Sequence, residues 1–179
     1  MVATHAFRQV RGGTVHGKLS LRSSESDAWQ GHRAMTGTDA SVEKNIGAVR
    51  RFWEGFNAHN LAVWDEVCAT SFVNHDPGLP TPDADLQTIK QTIAGLIAAF
   101  PDIRTSEDDL IADGDAVVVR RTMRGTHQGE FMGIGPTGKA ITFTGIWFAR
   151  LSDGRLQEQW VSFDALGLLR QIGAIPEPG

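Results

Sequence analysis

Three side chains in this sequence combine proton-transfer chemistry with a setting that could use it: His127, His75 and Asp164. His127 lies in Gly125-Thr126-His127-Gln128-Gly129-Glu130-Phe131-Met132-Gly133, a glycine-rich loop between two runs of strand-forming residues. An imidazole changes charge near neutral pH, so from such a loop it can donate a hydrogen bond to a ligand carbonyl or act as a base. The bland alternative is a loop histidine bonded to backbone. His75, between Asn74 and Asp76 and just ahead of Pro77, is a candidate for lining a pocket or closing the turn before the proline. A zinc site shared with His127 and a carboxylate is the weaker reading, because the spacing matches no metal signature. Asp164 directly precedes the apolar run Ala165–Ile172. A carboxylate there can cap a helix, and that reading outweighs catalysis, since a base must first be in reach of its proton. Arg120 stands among valines; facing inward it would need a carboxylate such as Asp109 or Glu107, or an anionic ligand, and an outward solvated face is preferred.

The elements that must position these groups are written in the apolar periodicity. Val42, Ile46, Val49, Trp53 and Phe56 recur at helical steps, with Ser41 as the N-cap, and Asn57-Ala58-His59-Asn60 breaks the run. Leu61, Trp64, Val67 and Cys68 mark a short second helix. Phe72–Pro77 reads as a brief strand. A third helix starts near Asp83 or Asp85, carries Leu86, Ile89, Ile93, Leu96, Ile97 and Phe100, and stops at Pro101. Strands follow at Ile103–Ala112, Ala116–Arg124, Ile141–Leu151 and Leu156–Phe163. Asp113-Gly114-Asp115 and Ser152-Asp153-Gly154 turn between them, which makes antiparallel hairpins the economical topology. Ala165–Ile172 is a terminal helix with Gly173 as its C-cap. Helices followed by a run of strands predict an α+β domain, with three N-terminal helices covering one face of a curved antiparallel sheet around a pocket.

Composition excludes several partner classes. The formal charge is −4 and 41% of residues are hydrophobic, which is ordinary for a globular protein and unlike a basic nucleic-acid binder. No apolar run is long enough to cross a bilayer, and the amino terminus lacks an apolar secretory core, so a cytoplasmic location is expected. The single Cys68 excludes an internal disulfide and a thiolate metal site. Residues 1–40 hold five basic against three acidic residues and no sustained apolar period, and are expected to be a flexible extension; the domain proper is expected at 41–179.

Several segments, in order along the chain, resemble a known family. They are Phe52-Trp53-Glu54-Gly55-Phe56-Asn57, Phe72-Val73-Asn74-His75-Asp76-Pro77, Ala98-Ala99-Phe100-Pro101-Asp102, the His127 loop, Pro136-Thr137-Gly138-Lys139, Asp153-Gly154-Arg155-Leu156 and Leu166-Gly167-Leu168-Leu169-Arg170-Gln171-Ile172-Gly173. The sequence over roughly residues 42–175 is similar to the SnoaL-like polyketide cyclases of the NTF2-like superfamily, many of whose members are named ester cyclases. The resemblance implies a cone-shaped barrel with one internal pocket, no metal, no organic cofactor and a homodimer. It also implies an intramolecular aldol closure, with an aspartate near the end of the last strand as acid/base and two histidines nearby. Aligned through Leu169-Arg170-Gln171-Ile172-Gly173, those three positions fall on Val161, Gln159 and Trp147. The histidine of the loop is retained as His127.

In the family register Gln159, Val161, Phe143, Gly145 and Trp147 face the pocket. Phe56 and Phe100 join that set, although with Trp64 they are residue types more often found in a core. Such a pocket suits a flat apolar ligand, with Gln159 as a polar handle. The expected function is therefore a cofactor-free cyclase or isomerase of secondary metabolism, acting by enol chemistry on a polyketide-like or polycyclic carbonyl compound. In this reading His127 polarises the carbonyl or relays protons and His75 or Asp164 is the base. The alternatives are a non-catalytic small-molecule binder, an accessory protein to an oxidoreductase, or a hydrolase or hydratase of a reactive ring.

Overall fold

Six strands form one sheet in the order β2-β1-β6-β5-β4-β3 in a computed structural model that describes residues 39–76 and 83–176. The elements are α1 (Asp39–Asn57), a 3-10 turn (Leu61–Val63), α2 (Trp64–Val67), β1 (Cys68–His75), β2 (Asp83–Asp85), α3 (Leu86–Ala99), β3 (Arg104–Asp113), β4 (Ala116–Thr126), β5 (Ala140–Ser152), β6 (Arg155–Phe163) and α4 (Ala165–Ile172). The extension expected over residues 1–40 falls almost wholly outside the described residues, as does the proline-containing loop after Asp76. None of the described helices is long and apolar enough to cross a membrane.

The strands β3 to β6 are a meander, with short turns between β3 and β4 and between β5 and β6 and the His127 loop between β4 and β5. Asp113 pairs with Ala116 across Gly114, which has φ +58°, and Ser152 pairs with Arg155 across Asp153 and Gly154, both at positive φ. Two-residue turns of this kind match the twist of antiparallel strands, so the Asp-Gly signals point to the hairpins directly. The sheet is not antiparallel throughout, however. β1 runs parallel to β6, with Asn74 opposite Gln159 and His75 opposite Trp160. The helices likewise do not all precede the sheet: β1 and β2 separate α2 from α3, and α2 is a single turn.

Burial follows the expected periods. On α1, Val49, Phe52, Trp53 and Phe56 are buried against a core that includes Trp64, Val117, Val119, Trp147 and Leu156. Phe52 stacks on Trp64 at 4.1 Å between ring centroids, and the Trp64 indole donates to the Phe52 carbonyl at 2.8 Å. Each such side chain contributes about 1.5–3 kcal/mol by leaving water. Asp85 caps α3 by accepting from the Thr88 N–H at 2.8 Å. Gly173 ends α4 in the left-handed region at φ +84°, as its position in the sequence implies.

Candidate functional site

The interior face of the sheet carries a chain of neutral polar groups whose orientation can be worked out from one end. The Trp147 indole can only donate, and it donates to Gln159 Oε1 at 2.8 Å. Gln159 must then present Nε2 to its other neighbour, and that nitrogen donates to Asn74 Oδ1 at 2.7 Å. Asn74 is left with its Nδ2 donors, which are buried and have no partner. The parallel pairing of β1 and β6 sets Asn74 beside Gln159, and the register of β5 on β6 sets Trp147 beside Val161. A second orphan donor lies in the same aromatic cluster: Trp53 Nε1 is buried without an acceptor, and its ring meets the Trp147 ring at 5.7 Å. A buried donor without an acceptor costs about 1–3 kcal/mol.

His127 is completely buried. Its Nδ1 lies 3.1 Å from Thr137 Oγ1, its ring is 5.2 Å from that of Phe100, and its Nε2 has no partner. Three local features hold it there. The backbone of His127 pairs with Lys139 and Gly138, which carries the β4–β5 ladder beyond Thr126. Asp102 accepts from both the N–H and the hydroxyl of Thr126, at 2.7 and 2.8 Å, and these bonds hold its carboxyl below the usual carboxylate range. The N–H groups of Gln128 and Gly129 both reach the Ala99 carbonyl at the C-terminal end of α3. Gly129 passes so close that a Cβ would lie 2.3 Å from the Ala98 oxygen.

The other two proton-transfer candidates stand elsewhere. Strand alternation turns His75 away from the face that Asn74 occupies, so His75 does not line the interior as expected. Its ring stacks on Trp160 at 4.7 Å, with Nδ1 2.7 Å from Asp83 and Nε2 3.5 Å from Glu158. Asp164 caps α4, accepting from the Gly167 N–H at 2.8 Å, and is exposed. Among the described residues no three His, Cys, Asp or Glu side chains come together as a metal site. Phe56 and Phe100 are fully buried members of the core. Phe143 is buried next to the half-exposed Phe163, their ring centroids 5.7 Å apart, and Val161 packs partly buried against the core. Cys68 is buried, and burial pushes its thiol up to about 12, which leaves it unreactive.

Arg120 takes the outward, solvated position preferred for it, and the inward arginine is the next residue. Arg120 is exposed and pairs with Asp108 at 3.2 Å, whereas its neighbour Arg121 faces in and is only 5% exposed. The Arg121 guanidinium lies 4.3 Å from the Trp53 ring centroid, and its Nε donates to Thr105 Oγ1 at 2.9 Å. Burial lowers its pKa to about 10, partly offset by Glu107 and Asp108. It lines a cleft of about 320 Å³ between α1 and the β3–β4 pair. The missed signal is parity: Val117 and Val119 are inward, so the next inward position is Arg121.

With this geometry in hand, comparison with known proteins gives a consistent answer. A family model for SnoaL-like polyketide cyclases matches residues 47–172. No curated protein matches the sequence significantly. Among solved structures, IdmH of Streptomyces antibioticus, a candidate polyketide cyclase, is 32% identical, with 72% of this chain and 98% of that chain covered and a TM-score of 0.66. AclR of Streptomyces galilaeus, a candidate hydroxylase, has a TM-score of 0.71 at 24% identity, covering 78% of this chain and 87% of its own. A candidate SnoaL-like polyketide cyclase from Jannaschia sp. CCS1 has a TM-score of 0.70 at 22% identity, covering 79% and 99%. The last two likenesses speak for the fold alone, which is NTF2-like. Taken with the match over most of the described residues and the identity to IdmH, they lead to one conclusion: this chain belongs to the SnoaL-like polyketide cyclase family.

Proposed function

We propose that the protein is a cofactor-free cyclase or isomerase that acts on a polyketide-like carbonyl compound through an enolate. The observation that carries this reading is the imbalance of the interior: Asn74 Nδ2 and Trp53 Nε1 are buried donors with no acceptor, beside the Trp147–Gln159 pair. Donors fixed in a water-poor interior lower the energy of an oxyanion more than they help the neutral carbonyl, which is the condition for catalysis. His127 moves the proton in this scheme, because it is the one buried imidazole among the described residues and its Nε2 is unpaired. Asp164 and His75 have no part in the chemistry, being engaged in a helix cap and in an outer-face cluster. Val161 stands where the family aspartate would be, so the proton work falls on the imidazole rather than on a carboxylate.

The test needs no knowledge of the natural product. Fused-ring β-ketoesters and methyl ketones are incubated with the protein in D₂O, and α-proton exchange and ring closure are followed by mass spectrometry. The expected result is exchange faster than in buffer, reduced by about 10²–10⁴-fold in His127→Asn, the usual contribution of a positioned base. Undiminished exchange in that variant would remove His127 from the mechanism.

A second reading, a binder without chemistry, is favoured by one observation: no carboxylate is among the buried polar side chains of the described residues. It predicts that ring compounds raise the melting temperature while none of them exchanges faster than in buffer.

A further inference from the structure

We propose that the cleft between α1 and the β3–β4 pair is an anion site, in which the Arg121 guanidinium holds the carboxylate of a small organic acid. The proposal rests on Arg121, Thr105 and the charges of the cleft, and shares only the Trp53 side chain with the ring-closing reading. Arg121 is a nearly fully buried cation with no ion pair among the described residues. An unpaired buried charge is costly, and the cation–π contact with Trp53 offsets only part of that cost. The guanidinium carbon sits over the Trp53 ring and Thr105 takes Nε. The edge formed by Nη1 and Nη2 therefore remains, and it has the fork geometry that a carboxylate matches with two parallel hydrogen bonds. Thr105 Oγ1 accepts from Arg121, so its own hydroxyl proton is available to the same ligand.

The other charges around the cleft set the ligand class. Arg50 is already bonded to Glu107 at 3.1 Å, and Glu54 lies 3.7 Å from Arg51. The cleft charges Arg50, Arg121, Glu54 and Glu107 balance only with Arg121 counted, and the two carboxylates oppose a dianion. A singly charged carboxylate fits this arrangement, and phosphate near neutral pH does not. The volume of about 320 Å³ is at the small end of ligand pockets, sufficient for a molecule with a single ring lying along Trp53.

The experiment is a titration of the full chain with benzoate, acetate and inorganic phosphate, read by calorimetry and by melting temperature in a chloride-matched buffer. Saturable binding of benzoate is expected, weaker binding of acetate, and weaker still of phosphate. Arg121→Gln should lower benzoate affinity by about tenfold or more, the usual worth of a charge-assisted hydrogen bond. If that variant does not fold, Arg121→Lys serves, since it keeps the charge and loses the fork. The guanidinium ¹⁵N signals of the unsubstituted protein give an independent reading and should move on adding benzoate. No saturable carboxylate binding, equal affinity in the Arg121 variants, an unmoved guanidinium signal, or phosphate bound more tightly than benzoate would each overturn the proposal.

Discussion

The two faces of the β1–β6 seam use adjacent residues for opposite purposes. Asn74 and Gln159 point inward, neutral and buried, and extend their hydrogen bonds to Trp147. His75 and Trp160, one position further along each strand, point outward, where the imidazole stacks on the indole between Asp83 and Glu158. The inner set contains no charge and leaves a donor unpaired; the outer set includes two carboxylates, and its imidazole has partners on both nitrogens. Titratable chemistry alone is thus a poor guide to a site, since the more reactive side chain is on the face that already has its partners. What marks the interior is a group that lacks one.

Four substitutions or conditions would break or sharpen this contrast. Gln159→Leu should have the largest effect, because it strands the Trp147 N–H and the Asn74 amide together in the core. A loss of about 2–5 kcal/mol in denaturant-measured stability is expected at about 1–3 kcal/mol per unsatisfied group. A loss under about 1 kcal/mol would mean that water already reaches these atoms. Asp164→Ala should cost about 1 kcal/mol through the lost cap of α4, with no change in α-proton exchange. A collapse of exchange at unchanged stability would instead return Asp164 to the chemistry. His75→Ala should cost under about 1 kcal/mol in the same measurement, through the lost stack on Trp160 and the lost contact with Asp83 at a partly exposed site. Acidification should show the smallest change, carried by Asp102. Because Thr126 holds its ionised form, its folded pKa lies below the unfolded one. The stability it adds is complete above the ordinary carboxylate value and drains away as pH falls through the lower folded one. Asp102→Asn should therefore flatten the acid limb of a melting-temperature profile, and an unchanged limb would assign it to other carboxylates.

Much of the fold could be read from local pattern. The α1 period, the Asp-Gly turns and the Gly173 cap each act within a few residues, and each is present where the sequence places it. The parallel seam could not be read that way, because the residues that meet across it are 85 apart and nothing near either announces the other. Arg121 was hidden for a different reason. Ala116-Val117-Val118-Val119 is apolar on both faces, so it does not reveal which parity is inward, and a one-residue error exchanges Arg120 for Arg121. The cap played by Asp164 was visible because capping is a local geometry. The partner-free nitrogen of Asn74 was not, since an absent bond leaves no trace in a sequence.

The parallel seam also bears on how the molecule is made. Strands β3 to β6 can pair in order, each with the strand next to it in sequence, and such local pairing is rapid. β1, by contrast, is made before the other five strands and must wait for β6, the last of the six, before it has a neighbour on that side. Asn74 can therefore meet Gln159 only when nearly the whole domain has emerged. Until then β1 presents an open edge, the condition that invites pairing with the wrong strand. The groups that define the interior are, on this account, assembled late, and a nascent chain stalled before residue 155 would expose the strand edge that β6 covers in the finished protein.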